Sequence, residues 1–173
     1  SGYIDTEYVL SNHSSVEVRA RVVSNSNETY HLFWNYGPEG RRVTYNVRSA
    51  NEIVSYFGNA RLSHQRLYVS NQIVTYKTNK EWLWVDDVLK KSWWNVWEFQ
   101  TSGSFYLFTA KWTTNYTLSW TRIYWVKVEE AGELAFYWVP CRTSTWVYGI
   151  YDVVWDKFHP SAGMIDLTWW ADM

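Results

Sequence analysis

Alternation of apolar and polar side chains recurs along most of this chain and directs it to a β fold. A residue period of two puts one set of side chains on a buried face and the other towards water. Val16, Val18, Ala20 and Val22 alternate with Glu17, Arg19 and Arg21. Tyr30, Leu32, Trp34 and Tyr36 alternate with His31, Phe33 and Asn35, and Val43, Tyr45 and Val47 with Arg42, Thr44, Asn46 and Arg48. Gly37-Pro38-Glu39-Gly40 is the turn between the last two runs. Leu67–Ser70 and Gln72–Lys77 read as a hairpin about Asn71, followed by strands at Trp82–Val85, Trp93–Gln100, Phe105–Trp112, Thr117–Val128, Leu134–Val139 and Trp146–Trp155.

Helix signals are confined to two short segments. Ser49 and Glu52 have capping-box spacing ahead of Ile53, Val54 and Phe57, with Gly58 as the stop. Asp86/Lys90 and Asp87/Lys91 are i,i+4 pairs around Val88 and Leu89, enough for one or two turns. The expected fold is therefore all-β: a jelly-roll-like antiparallel β-sandwich with at most one or two short helices, formed as a single domain over residues 1–173. A closed β-barrel is the alternative.

Charge narrows the partners. Sixteen Lys plus Arg against seventeen Asp plus Glu give a formal charge of -1, with no segregation along the chain, so the overall balance favours neither nucleic acid nor anionic lipid. No stretch approaches the ~18 apolar residues of a transmembrane helix. Cys141 is the single cysteine, so the fold rests on packing without an intrachain disulfide. Sequons at Asn12, Asn27 and Asn115 hint at a secreted or extracellular protein, with a cytoplasmic one left open.

Motifs for chemistry are sparse. The eight glycines are scattered, with no Rossmann, Walker or S-adenosylmethionine loop, and His13, His31, His64 and His159 stand singly, so neither a cofactor nor a metal is expected. Asp152 and Asp156, near His159, are read as solvated strand-end residues rather than as an acid/base pair. Cys141 is read as a small apolar filler rather than a nucleophile served by His159. Glu81, Asp86, Asp87 and Glu98 lie among tryptophans, as sugar-contacting carboxylates do, but solvation is the reading preferred for Asp86 and Asp87.

The aromatic residues are more informative. The chain has 14 Trp and 14 Tyr, and an indole has a large apolar face together with an N–H that needs a partner. In Trp93–Phe99 one face carries Trp93, Asn95, Trp97 and Phe99, and the other carries Trp94, Val96 and Glu98. Trp82 shares a face with Trp84, Tyr124 with Val126, and Trp125 with Ile123. A sandwich has one inner layer, so rings on both faces imply an aromatic surface. The candidate ligand-binding residues are Trp93, Asn95 and Trp97, then Trp82, Trp84, Trp112 and Tyr116.

Over about residues 16–140 the order of motifs resembles the farnesoic acid O-methyltransferase-like domain. Val16-Glu17-Val18-Arg19-Ala20, a polar turn from Ser24, and Tyr30-His31-Leu32 are similar to its opening strands. Tyr45-Asn46-Val47 before Asn51 and Ser55, and Trp94–Phe99 before Ser102-Gly103 and a second aromatic strand, resemble its later ones. Arg48-Ser49-Ala50 stands where that family has Gly-Gly-Trp. The resemblance implies a β-rich module. Its name implies methyl transfer from S-adenosylmethionine, for which this chain has no loop.

The expected function is non-catalytic recognition of a glycan or another small ligand through exposed Trp and Tyr with polar neighbours. The alternatives are an enzyme, either a methyltransferase or a hydrolase using Asp152, Asp156 or Glu98, and a homo-oligomerising subunit with aromatic interfaces.

Overall fold

The computed structural model describes residues 4–21, 29–36, 42–48, 52–65, 72–92, 96, 98–99, 101, 103–107 and 122–162. Its strands are β1 (Ile4–Asp5), β2 (Ser14–Arg21), β3 (Thr29–Tyr36), β4 (Arg42–Arg48), β5 (Glu52–Gly58), β6 (Ala60–Gln65), β7 (Ile73–Thr78), β8 (Trp82–Val85), β9 (Val88–Ser92), β10 (Tyr106–Leu107), β11 (Arg122–Glu130), β12 (Glu133–Arg142), β13 (Tyr148–Asp152) and β14 (Lys157–Pro160). They form two packed antiparallel sheets, ordered β1-β10-β3-β4-β5-β6 and β14-β13-β12-β11-β2-β7-β8-β9. Neither closes on itself. The fold is the expected β-sandwich, with no helix among the described residues.

Alternation builds the interface. Val16, Val18 and Ala20 of β2 are buried beside Val126, Val128 and Ile123 of β11 and Val74 and Tyr76 of β7. They share one core with Leu32, Phe33, Val43, Phe57 and Leu107 of the other sheet. Each Val, Leu, Ile or Phe among them removed from water contributes roughly 1.5–3 kcal/mol. Trp138 is fully buried between the rings of Phe136 (5.1 Å) and Phe105 (5.7 Å). The segment after β1 joins the two layers: Thr6, Asn12 and Thr101 donate backbone N–H groups to the carbonyls of Phe105, Phe99 and Leu10.

Both helix expectations are corrected. Residues 52–58 form β5, in register with β4 from Arg48↔Glu52 to Arg42↔Gly58. Val54, Ser55 and Phe57 are all buried there, so cross-strand packing overrides the local capping signal. Gly58 (φ +59) with Asn59 turns the chain into β6, and a Cβ on Gly58 would meet the Phe99 ring at 2.8 Å. Asp86 and Asp87 do not start a helix. Both have positive φ (48° and 60°) and form a two-residue turn from β8 to β9, a geometry matched to strand twist. Trp146–Trp155 is also not one strand: β13 ends at Asp152, and residues 153–156 turn into β14. The Leu67–Ser70 strand and the Asn71 turn lie outside the described residues, as does most of Trp93–Gln100.

His159 of β14 is buried and pairs with Ile150. Burial holds its pKa below the ordinary value, assisted by Lys157 and opposed by Asp152, Glu7 and Asp5. A depressed histidine pKa means that the unfolded chain binds the proton more readily, so this contribution to stability is complete above about pH 6.5 and is lost as pH falls through the folded value. Thermal unfolding followed from pH 8 to pH 5 will show a melting temperature that drops below about pH 6.5, and His159→Gln will flatten that part of the profile.

Candidate functional site

Trp82 and Trp84 are the two candidate residues that the structure describes, and it brings them together. The β8 alternation buries Leu83 and Val85 and turns both indoles to the outer face, where their centroids lie 6.1 Å apart at 52°. Trp93, Asn95, Trp97, Trp112 and Tyr116 lie outside the described residues. Of their neighbours, Phe99 packs edge-on against Phe57, Val96 lies against the core, and Glu98 is exposed.

Trp84 forms one wall of an open groove of about 540 Å³, in the company of Asn12, Lys77, Asn79, Glu81 and Glu129. Local hydrogen bonds fix its rim. Asn79 Oδ1 accepts the backbone N–H groups of Glu81 (2.8 Å) and Trp82 (2.9 Å), which sets the β7–β8 turn. Glu81 Oε2 accepts the Trp82 indole N–H at 3.0 Å. Lys77 Nζ stands between Glu17 (3.8 Å) and Glu129 (3.6 Å), a half-exposed arrangement worth at most ~1 kcal/mol.

The opposite rim is the β11–β12 turn, where Ala131 (φ 51°) and Gly132 (φ 89°) both have positive φ. It is tied down by the Glu130 carboxylate, which accepts the hydroxyls of Tyr8 (3.0 Å), Ser11 (2.6 Å) and Ser14 (2.5 Å), and by the Ala131 N–H to the His13 carbonyl. Burial, together with the Glu130 charge, pushes the Tyr8 phenol up to about 12, so it remains a donor. A rim ordered in advance lowers the entropic cost of binding.

Sequence reasoning did not single out the aromatic surface farther along the same sheet. A bulge at Tyr124 leaves Ile123 inside, opposite Ala20, and turns Trp125 outward, opposite Arg19; the expectation that Trp125 and Ile123 share a face is therefore corrected. Lys127 Nζ lies 4.7 Å from the Trp125 ring centroid and 5.3 Å from that of Tyr137. Trp146 and Trp155 are 63% and 64% exposed, both in turns after β12. Among the seven described tryptophans only Trp138 is fully buried, which bears out an aromatic surface.

Buried Asp152 and His159 lie close enough to interact across β13 and β14, but the candidate nucleophile Cys141 does not join them. Asp152 is 0% exposed, so the strand-end solvation reading is corrected: its carboxylate accepts the Trp138 indole N–H at 3.0 Å and the Val154 N–H at 2.9 Å. The nearby Asp156 is exposed and accepts the Tyr151 hydroxyl. Cys141 and His159 fall on opposite faces, since His159 is in line with Ile150 and Pro140, and the next residue along β12 points the other way. Burial pushes the Cys141 thiol up, away from the reactive thiolate. Asp86 Oδ1 accepts the Thr75 N–H at 2.8 Å. Among the described residues no group of three or more His, Cys, Asp or Glu could hold a metal ion. The groove offers an indole face, amides, carboxylates and an ammonium for non-covalent contacts.

Asp152→Ala leaves the Trp138 N–H and two turn amides without an acceptor. Chemical denaturation will show a loss of roughly 2–4 kcal/mol, as expected for a structural carboxylate. No protein-family model matches this sequence, and none of the curated proteins is similar to it, so the chemistry of the surface itself carries its interpretation.

Proposed function

We propose that the chain is a non-catalytic recognition domain that takes a sugar or a sugar-sized polar ligand in the groove beside Trp84. The observation that carries this reading is the indole of Trp84, paired on the outer face with Trp82, lining a concave, hydrogen-bonding site with a fixed rim. Sugar rings have apolar C–H faces and a periphery of hydroxyls, and the groove matches both: Trp84 for the face, and Asn79 and Glu81 for the hydroxyls. An extracellular setting belongs to the same proposal and is supported by the three sequons. So does kinship with the farnesoic acid O-methyltransferase-like domain, supported by the order of motifs over residues 16–140, as a source of fold rather than of methyl transfer.

Titration of the protein's tryptophan fluorescence with a panel of neutral oligosaccharides will give a saturable change for at least one. Trp84→Ala will weaken that ligand by ~10-fold or more while thermal stability changes little. A panel without response, or an unchanged affinity in the variant, removes the reading.

A second reading is self-association, favoured by the exposed apolar residues Leu134, Val153, Val154 and Trp155 at the β12 and β13–β14 turns. Trp155 Nε1 donates to the Ala135 carbonyl at 2.8 Å, which places this cluster against β12. Light scattering across a concentration series will report a dimer that Trp155→Ser disperses; a monomer at all concentrations excludes it.

A further inference from the structure

Strand register assembles a cationic field that the near-neutral chain does not advertise. On the outer face of the eight-stranded sheet, β7, β2 and β11 lie side by side in three successive rows: Ile73–Arg21–Arg122, Thr75–Arg19–Trp125 and Lys77–Glu17–Lys127. Neighbouring strands are ~4.8 Å apart, and same-face residues along a strand ~6.6 Å apart. Of these nine positions five are basic and one acidic, and that one, Glu17, has Lys77 at 3.8 Å. Asp86, at the adjoining turn, is engaged with the Thr75 N–H.

Arg21 and Arg122 are direct cross-strand neighbours. Arg21 Nε is buried with no hydrogen-bond partner among the described residues. The exposed Arg19 makes one long contact, 3.4 Å, to the Thr75 hydroxyl. Lys77, held between Glu17 and Glu129, is the cross-strand neighbour of Trp84 and joins these rows to the groove, whose lining also carries Glu81 and Asp87.

We propose that this face binds a sulfated polysaccharide, its sugar rings entering the groove beside Trp84 and its sulfate groups lying over Arg19 and Arg21. The proposal rests on the sugar-binding reading of the groove and names the ligand class. Guanidinium groups bind sulfate and carboxylate through paired, charge-assisted hydrogen bonds. The sugar-sized groove beside Trp84 favours a sulfated sugar over a nucleic acid, and a single-stranded DNA of equal charge separates the two.

The test is calorimetric titration of the full chain with a sulfated glycosaminoglycan oligosaccharide, the same oligosaccharide after desulfation, and a single-stranded DNA of equal charge. The sulfated sugar is expected to bind ~10-fold or more tightly than the other two, with an affinity that falls steeply with salt. Arg19→Gln will weaken it several-fold and Arg19→Gln/Arg21→Gln further, while both leave the desulfated sugar unaffected. Arg19 is exposed, so its single variant keeps the test valid if the double variant misfolds. Equal affinity for the two sugars, tighter binding of DNA, or indifference to Arg19→Gln overturns the proposal. Desulfated sugar bound equally well and lost in Trp84→Ala would uphold the groove and remove the cationic field; sulfated sugar lost in Arg19→Gln but not in Trp84→Ala would do the reverse.

Discussion

The placement of the outward residues at the centre of the eight-stranded sheet follows from the register of β2 between β7 and β11. Val16, Val18 and Ala20 must face the core, and a slip of one residue would exchange them for Glu17, Arg19 and Arg21, burying charge in place of methyl groups. That cost pins three strands at once. The hydrophobic interior thereby decides which cations and rings meet on the surface, and the groove and the arginine rows are by-products of the same constraint.

Much of this framework was legible in the sequence because strong alternation survives averaging over local signals. β2, β3, β4, β7 and β8 stand close to where their period-two runs place them. Local chemistry misled where tertiary pairing outweighed it: Ser49/Glu52 and the Asp/Lys pairs have helical spacing, but β5 is buried between its neighbours and Asp86-Asp87 adopts a hairpin turn. The Tyr124 bulge was illegible for a different reason, since an inserted residue reverses the facing of what precedes it without leaving a mark in composition.

The candidate site was legible only in part. Trp82 and Trp84 share a face because they are two residues apart, and that is readable by eye. The other wall of their groove comes from Asn12 and Glu129, which only the fold brings near. Charge shows the same limit. Basic and acidic residues are mixed along the chain, yet a sheet sorts them by parity and register, so Arg19, Arg21 and Arg122 converge from distant segments.

The eight-stranded sheet ends, among the described residues, at β9. An end strand leaves alternate main-chain donors and acceptors without a neighbour, and Val88 and Leu89 add exposed apolar side chains to it. Two consecutive lysines, Lys90 and Lys91, follow them on the same strand. A lysine on a border strand is a charge that such edges commonly carry against pairing with another chain, so Lys90 stands where the exposed Val88 and Leu89 would otherwise invite it.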